Sequence, residues 1–102
     1  MLIQKSQLNK DTLKGRVVLI TGAGGGIGFE AARALTYLGA DVIIAEINED
    51  KGLQAQSIIN SELNTDRVSF FRVDLSDEKQ INNLYSFIMD KYGFVDVLFD
   101  NT

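Results

Sequence analysis

A run of glycines directly after a short apolar segment constrains the fold of this chain more than any other feature. The apolar segment is Val17-Val18-Leu19-Ile20, and the run is Thr21-Gly22-Ala23-Gly24-Gly25-Gly26-Ile27-Gly28. Glycines permit a tight turn between a strand and a helix, and they let the backbone approach an anion closely. The helix that follows presents free N–H groups and a partial positive charge. The run therefore predicts a strand-turn-helix unit that binds the phosphates of a dinucleotide.

Two glycine spacings fit the run, and both stay open at this point. Gly22, Gly26 and Gly28 match G-x-x-x-G-x-G, whereas Gly22, Gly25 and Gly28 match G-x-x-G-x-x-G. The familiar G-x-G-x-x-G does not fit, and no lysine follows the last glycine as it does in a Walker loop. A simple turn is the alternative to a nucleotide site, and the strand-turn-helix context argues against it.

Short apolar segments alternate with helical segments along the chain. Predicted strands cover residues 16–20, 41–45, 68–73 and 95–99. Predicted helices cover residues 27–38 and 49–63, and a third follows Ser76 and ends at Lys91 and Gly93. This β-α-β-α-β-α-β pattern predicts right-handed crossovers and a parallel sheet. The predicted fold class is α/β, a Rossmann-like parallel sheet with strand order 3-2-1-4 and helices on both faces in three layers.

Helix ends and faces follow from side-chain types. Asn48 and Ser76 are predicted to cap the second and third helices, and Gly39 to end the first. The apolar face of the first helix is predicted to consist of Ile27, Ala31, Ala34, Leu35 and Leu38. Residues 1–12 are expected to form an N-terminal extension, and residues 13–102 a partial dinucleotide-binding domain.

Composition argues against several classes of protein. The 102 residues fit one domain, and the net charge of −4 with ten scattered basic residues argues against a nucleic-acid partner. The chain has no cysteine and no histidine, which excludes disulfides, thiol catalysis and histidine-based metal sites or triads. No apolar run approaches the roughly 20 residues of a membrane span. The N-terminus lacks the apolar stretch of a secretory signal, so the expected location is the cytoplasm.

Carboxylates follow two of the predicted strands. Glu46 ends the second strand, where it can accept hydrogen bonds from both hydroxyls of an adenosine ribose. Its charge would repel a 2′-phosphate, and neither Gly25 nor Ile47 supplies a cation, so NAD is favoured over NADP. Asp74 follows the third strand and could accept a hydrogen bond from the adenine amino group. The alternatives are a solvated loop acid for Glu46 and helix capping beside Ser76 for Asp74.

Taken together, these segments resemble the short-chain dehydrogenase/reductase family over residues 13–102. The resemblance implies that the glycines wrap the pyrophosphate, Thr21 braces the turn, Glu46 selects NAD and Asp74 contacts adenine. The segment at residues 96–101 resembles the family's single-domain branch and so favours G-x-x-x-G-x-G. The candidate cofactor-binding residues are Thr21, Gly22, Gly24, Gly25, Gly26, Ile27, Gly28, Glu46, Ile47, Asp74, Leu75 and Asn101.

The chain departs from the family's pattern at two places. The family's fourth strand ends in N-N-A-G beside the cofactor, whereas this chain has Asp100-Asn101-Thr102. The acid is expected to add negative charge near a bound cofactor and to weaken its binding. The family's catalytic Tyr-x-x-x-Lys is missing, because no tyrosine of these 102 residues has a lysine four positions later. We find no candidate catalytic residue and expect no turnover by this chain alone.

The expected function is that of the cofactor-binding portion of an NAD-dependent short-chain oxidoreductase, truncated after its fourth strand. By resemblance, the parent enzyme transfers hydride between nicotinamide and a carbonyl or alcohol carbon of a small molecule, and it is a homo-oligomer without a membrane partner. The alternatives are a non-catalytic NAD-binding module and a decayed gene product. The apolar fourth strand would form a sheet edge, so we expect marginal stability without NAD or a partner.

Overall fold

A computed structural model describes residues 9–101. Residues 1–8 of the predicted N-terminal extension lie outside the described residues, and so does Thr102. Strands and helices alternate in the predicted order. They are β1 (Val17–Thr21), α1 (Gly26–Tyr37), β2 (Asp41–Glu46), α2 (Glu49–Leu63), β3 (Val68–Arg72), α3 (Glu78–Lys91) and β4 (Val97–Asp100).

The four strands of the described residues form one parallel sheet in the order β3-β2-β1-β4, which confirms the predicted topology. In the register of this sheet, Leu19 of β1 lies opposite Ile43 of β2 and Leu98 of β4. The chain runs from β1 outward to β3 and then returns to the other side of β1 to form β4. The gap between neighbouring loops at such a switch point is where parallel sheets bind ligands.

Alternate residues of the strands face two separate apolar clusters. One cluster includes Val18 and Ile44 of the sheet together with Ala32 of α1 and Ile59 of α2. The other includes Ile43 of the sheet and two residues of α3, Leu84 and Ile88. Helices therefore cover both faces of the sheet, and the predicted three-layer arrangement is confirmed. At the edge formed by β4, Val97 and Leu98 are 49% and 60% exposed.

The apolar face predicted for the first helix is wrong at its start, but it is confirmed at Leu38, which is buried, and at Ala31 and Leu35, which pack against the core. Ile27 is 72% exposed, whereas the buried residues of α1 are Gly28, Ala32 and Thr36. Small side chains let the helix pack closely on the sheet. The hydroxyl of Thr36 can be buried because it donates a 2.7 Å hydrogen bond to the carbonyl of Ala32.

Of the two predicted N-caps, one is confirmed and one is wrong. The side chain of Asn48 accepts a 3.0 Å hydrogen bond from the N–H of Lys51 at the start of α2. The N-cap of α3 is Asp77, which accepts from the N–H of Lys79 at 3.0 Å. Ser76 precedes the N-cap by one residue and does not cap the helix. Its N–H and its hydroxyl both donate to Asp74 instead. The end of α1 is confirmed, since Gly39 follows the C-cap with a φ of +108°.

Two kinds of feature do not occur among residues 9–101. None of the helices there combines the length and the hydrophobicity needed to cross a bilayer. The same residues contain no group of three or more histidine, cysteine, aspartate or glutamate side chains placed to hold a metal ion.

Candidate functional site

The residues selected from the sequence come together at one edge of the sheet, where the carboxyl ends of the four parallel strands lie. The glycine loop joins β1 to α1, Glu46 ends β2, Asp74 follows β3 and Asn101 follows β4. A cleft of about 170 Å³ opens between these ends. It is lined by Gly22, Ala45, Glu46, Ile47, Val73, Asp74, Leu75 and Ser76. The cleft lies at the carboxyl ends of β1, β2 and β3, the edge of a parallel sheet where ligands bind.

Glycine is required at all three positions of one of the two candidate spacings. Gly22 and Gly26 have φ values of +68° and +61°, a region that other residues rarely adopt. A Cβ on Gly28 would lie 2.7 Å from the carbonyl oxygen of Gly22 and 2.9 Å from Nδ2 of Asn101. Gly25 has an extended backbone with φ of −174°, and a Cβ there would meet no atom within 4 Å. These requirements match G-x-x-x-G-x-G, the spacing that the sequence favoured.

The N-terminus of α1 carries no side-chain cap. Its N-cap is Gly25, and its first turn contains no acidic residue. By contrast, α2 and α3 begin with the capping side chains of Asn48 and Asp77 and have acidic residues in their first turns. The first N–H groups of a helix lack partners within the helix and carry a partial positive charge. An anion placed at the glycine loop can accept hydrogen bonds from these N–H groups and balance the partial positive charge.

Hydrogen bonds between β1 and β4 fix the start of the loop. Thr21 is 5% exposed, and its hydroxyl donates to Asp100 Oδ1 at 2.8 Å. The same hydroxyl oxygen accepts from the N–H of Asn101 at 3.1 Å. The Asn101 side chain in turn donates to the carbonyl of Gly22 at 3.3 Å. Thr21 therefore holds Asn101, which in turn bonds the first glycine of the loop.

The carboxylate of Glu46 is oriented by the backbone that follows it. Its Oε2 accepts hydrogen bonds from the N–H groups of Ile47 at 2.7 Å and Asn48 at 3.3 Å. Its Oε1 faces the loop, because a Cβ on Gly24 would lie only 2.6 Å from it. The register partner of Glu46 on β3 is Arg72. The carboxylate thus lies at the end of β2, beside the glycine loop.

Asp74 organises the turn between β3 and α3. Its Oδ1 accepts from the hydroxyl of Ser76 at 2.7 Å and from the N–H of Ser76 at 3.0 Å. These bonds, and more weakly the positive charge of Arg72, hold the pKa of Asp74 below its usual value. The N–H of Asp74 donates to Oε1 of Gln80 at 2.8 Å. Asp74 is therefore ionised at neutral pH and bonds Ser76, although it does not cap α3.

Sequence reasoning missed three neighbours of the site: the Asn48 N–H that binds Glu46, the Lys51 stem beside Gly24, and Gln80. The spacing of Asp77 and Gln80 matches a capping box, so this signal could have located both the cap and the glutamine. No sequence signal marks Lys51, because its approach depends on how α2 packs against the loop.

Apolar side chains flank the cleft. Ile47 and Leu75, which are 51% and 36% exposed, line its rim. A larger and shallower groove of about 1180 Å³ runs along α1, past Ala31, Ala34 and Phe99. It borders the glycine loop at residues 24–26 but contains neither Glu46 nor Asp74. The smaller cleft, where the polar groups converge, is therefore the candidate site.

Comparisons with known proteins agree with this geometry. The sequence model of the short chain dehydrogenase family matches residues 16–102. Short-chain dehydrogenase reductase 5 of Arabidopsis thaliana is 43% identical over 89 residues, which cover 87% of this chain and 33% of that protein. The 15-hydroxyprostaglandin dehydrogenase [NAD(+)] of Homo sapiens is 30% identical over 89 residues, which cover 87% and 34%. The chain thus spans about a third of the length of the curated relatives it matches.

Solved structures share the fold. A protein from Shigella flexneri 2a complexed with NADP superposes with a TM-score of 0.84 and 35% identity, over 91% of this chain and 39% of that one. Menthone neomenthol reductase from Mentha piperita superposes with a TM-score of 0.81 and 34% identity, over 85% and 31%. Relatives with different nicotinamide cofactors in their names or titles therefore share this arrangement of strands and helices.

Proposed function

The chain belongs to the short-chain dehydrogenase/reductase family, and from this membership we propose that it binds NAD at the carboxyl edge of its sheet. It is the cofactor-binding part of an oxidoreductase. The dinucleotide supplies the hydride chemistry when it is bound, and the protein supplies position and electrostatics. For the whole protein we propose hydride transfer between nicotinamide and a carbonyl or alcohol carbon of a small molecule.

The observation that carries this proposal is the N-terminus of α1, which has no side-chain cap and follows a loop with no room for a side chain at Gly28. Gly28 packs against the carbonyl of Gly22, and the first-turn N–H groups of α1 have no side-chain partner of their own. A pyrophosphate would satisfy these donors and lie close to the backbone. The residues that would hold it are those of the loop from Thr21 to Gly28, with Asn101 supporting the loop from β4.

The choice of NAD rests on Glu46. A carboxylate held by two backbone N–H groups accepts hydrogen bonds from a ribose diol and repels a 2′-phosphate. For the adenine we propose Asp74 as the polar contact, with Ile47 and Leu75 as the exposed apolar surface beside it. A cytoplasmic, homo-oligomeric whole protein without a nucleic-acid or membrane partner remains a prediction.

Cofactor titration tests the proposal. We expect NADH to bind at least about tenfold more tightly than NADPH. A difference of this size, about tenfold, is typical of the pair of hydrogen bonds that a ribose diol would donate to the Glu46 carboxylate. The variant G28A should lose both cofactors, because its new Cβ would meet the Gly22 carbonyl. S57A, a change on the exposed face of α2, should keep both affinities. A protein that binds neither cofactor, or a G28A variant that binds as well as wild type, contradicts the proposal.

A further inference from the structure

We infer that Gly24 is a specificity-determining position, because the absence of a side chain there keeps the Glu46 carboxylate in place for a ribose diol. The inference rests on the proposed NAD site and adds to it a residue whose role the glycine motif does not explain. The motif requires Gly22, Gly26 and Gly28, and Gly24 lies between them at a position where the motif accepts any residue.

The requirement for glycine at this position comes from its neighbours. The φ of Gly24 lies outside the left-handed range, so the backbone itself accepts other residues. A Cβ on Gly24, however, would lie 2.6 Å from Oε1 of Glu46 and 2.8 Å from the Cβ of Lys51. Both distances are shorter than real Cβ contacts, so any side chain at this position must displace both neighbours or move the loop.

The two neighbours differ in how readily they can move. The N–H of Lys51 donates to Oδ1 of Asn48 at 3.0 Å, which fixes Lys51 in the first turn of α2. Its Cβ is attached directly to the helix backbone and cannot rotate away. The Glu46 carboxylate stands at the end of a flexible side chain, held through Oε2 by the N–H groups of Ile47 and Asn48. A side chain at position 24 therefore moves the loop away from Lys51 and displaces the Glu46 carboxylate from its place beside the loop.

Displacement of the carboxylate has opposite consequences for the two cofactors. NAD loses the acceptor for its ribose hydroxyls, whereas NADP loses a repulsive charge beside its 2′-phosphate. Any general damage to the loop would weaken both cofactors alike, because both carry the same pyrophosphate. The ratio of the two affinities therefore separates an effect on Glu46 from an effect on the loop.

Gly25 supplies a matched comparison. It lies in the same loop, one residue away, and a Cβ there meets no atom within 4 Å. The substitution G25A makes the same chemical change as G24A without approaching Glu46. We expect it to move the affinities for NADH and NADPH by the same factor and to leave their ratio unchanged.

The test measures dissociation constants for NADH and NADPH by calorimetry, in wild type, G24A, G25A, E46Q and the double variant G24A/E46Q. We expect G24A to weaken NADH about tenfold while NADPH changes less than about threefold. In the E46Q background, adding G24A should leave the ratio unchanged, since the carboxylate it acts on is gone. If G24A alone fails to fold, G24A/K51G removes the competing Cβ and is expected to give the same shift in ratio.

The outcomes distinguish the inference from the function on which it rests. Wild-type protein that binds neither cofactor overturns both. Wild-type protein that prefers NADH, with equal losses for both cofactors in G24A, overturns the inference alone. A shift in ratio that G24A still produces in the E46Q background also overturns the inference, because Gly24 would then act through another group.

Discussion

The hydroxyl of Thr21, at the end of β1, donates a 2.8 Å hydrogen bond to Asp100 Oδ1 at the end of β4. Asp100 stands where the family's motif has its first asparagine, so the acid that departs from the motif is bonded to the neighbouring strand. The same threonine oxygen accepts the N–H of Asn101 at 3.1 Å. One buried side chain therefore joins two strands and positions the residue that supports the glycine loop.

Removing this hydroxyl should destabilise the protein. T21V keeps the size of the side chain but leaves Asp100 without its threonine donor and the Asn101 N–H without its acceptor. We expect a loss of about 1–2 kcal/mol in the free energy of unfolding, measured by urea denaturation. T21S retains the hydroxyl and should lose less than about half of that amount. A T21V variant as stable as wild type would show that these hydrogen bonds do not stabilise the protein.

Neutralising Asp100 should strengthen cofactor binding. D100N keeps an oxygen that can accept from Thr21 but removes a negative charge beside the loop proposed to hold a pyrophosphate. We expect NADH to bind about two- to fivefold more tightly at low ionic strength, with a smaller gain in high salt because salt screens the repulsion.

The control for D100N is D66N, which removes the same charge at an exposed position before β3, at the opposite end of the sheet. Calorimetric titrations with NADH should give wild-type affinity for this variant. If D66N gains as much affinity as D100N, the effect reflects net charge, and the location of Asp100 is irrelevant.

The order of the elements could be predicted because its causes are local. Runs of β-branched and leucine residues mark strands buried on both faces, and the helix predicted over residues 49–63 matches α2 from Glu49 to Leu63. The face of α1 could be predicted only in part by the same reasoning. Periodicity favoured Ile27, but close packing on the sheet selected Ala32 and Thr36, and the threonine bonds its own helix.

The candidate site also has features that the sequence predicts and features that it does not. The residues at the carboxyl ends of the strands could be predicted, because the topology alone brings Gly22, Glu46 and Asp74 to one edge. The approach of Gly24 to Lys51 could not, since it depends on how closely a loop and a helix pack after the chain has folded. The pairing of Glu46 with Arg72 could not be predicted either, since it depends on the register between β2 and β3. The hydrophobic pattern of one strand does not fix that register without the pattern of the other.

Gly52 in α2 should resist replacement by alanine. A Cβ there would lie 2.0–2.6 Å from three atoms of the Phe70 ring, which packs under the helix from β3. Alanine favours a helix by about 1 kcal/mol over glycine, but overpacking costs about 1–3 kcal/mol. We expect G52A to lower the free energy of unfolding by about 1 kcal/mol, measured by urea denaturation.

A second substitution shows whether the ring is the cause. F70L removes the ring, so in its background G52A should become neutral or stabilising, as expected for alanine in a helix. If G52A costs the same free energy in the F70L background as in wild type, contact with the ring does not explain the glycine.

The lowered pKa of Asp74 predicts a specific dependence of stability on pH. The hydroxyl of Ser76 is the largest cause of the shift, followed by its N–H. Both donate to the ionised carboxylate and so lower its pKa below the usual value of 3.8. Because the pKa is lower in the folded protein than in the unfolded chain, the contribution is fully present above about pH 3.8. It is lost as the pH falls through the lowered folded value.

Carboxyl carbon chemical shifts, followed by NMR through an acid titration, measure this pKa directly. S76A removes the hydroxyl but keeps the N–H, so the pKa of Asp74 should rise toward its usual value without reaching it. S76T keeps both donors and should titrate as wild type does. Identical titration curves for S76A and wild type would show that the hydroxyl does not stabilise the carboxylate.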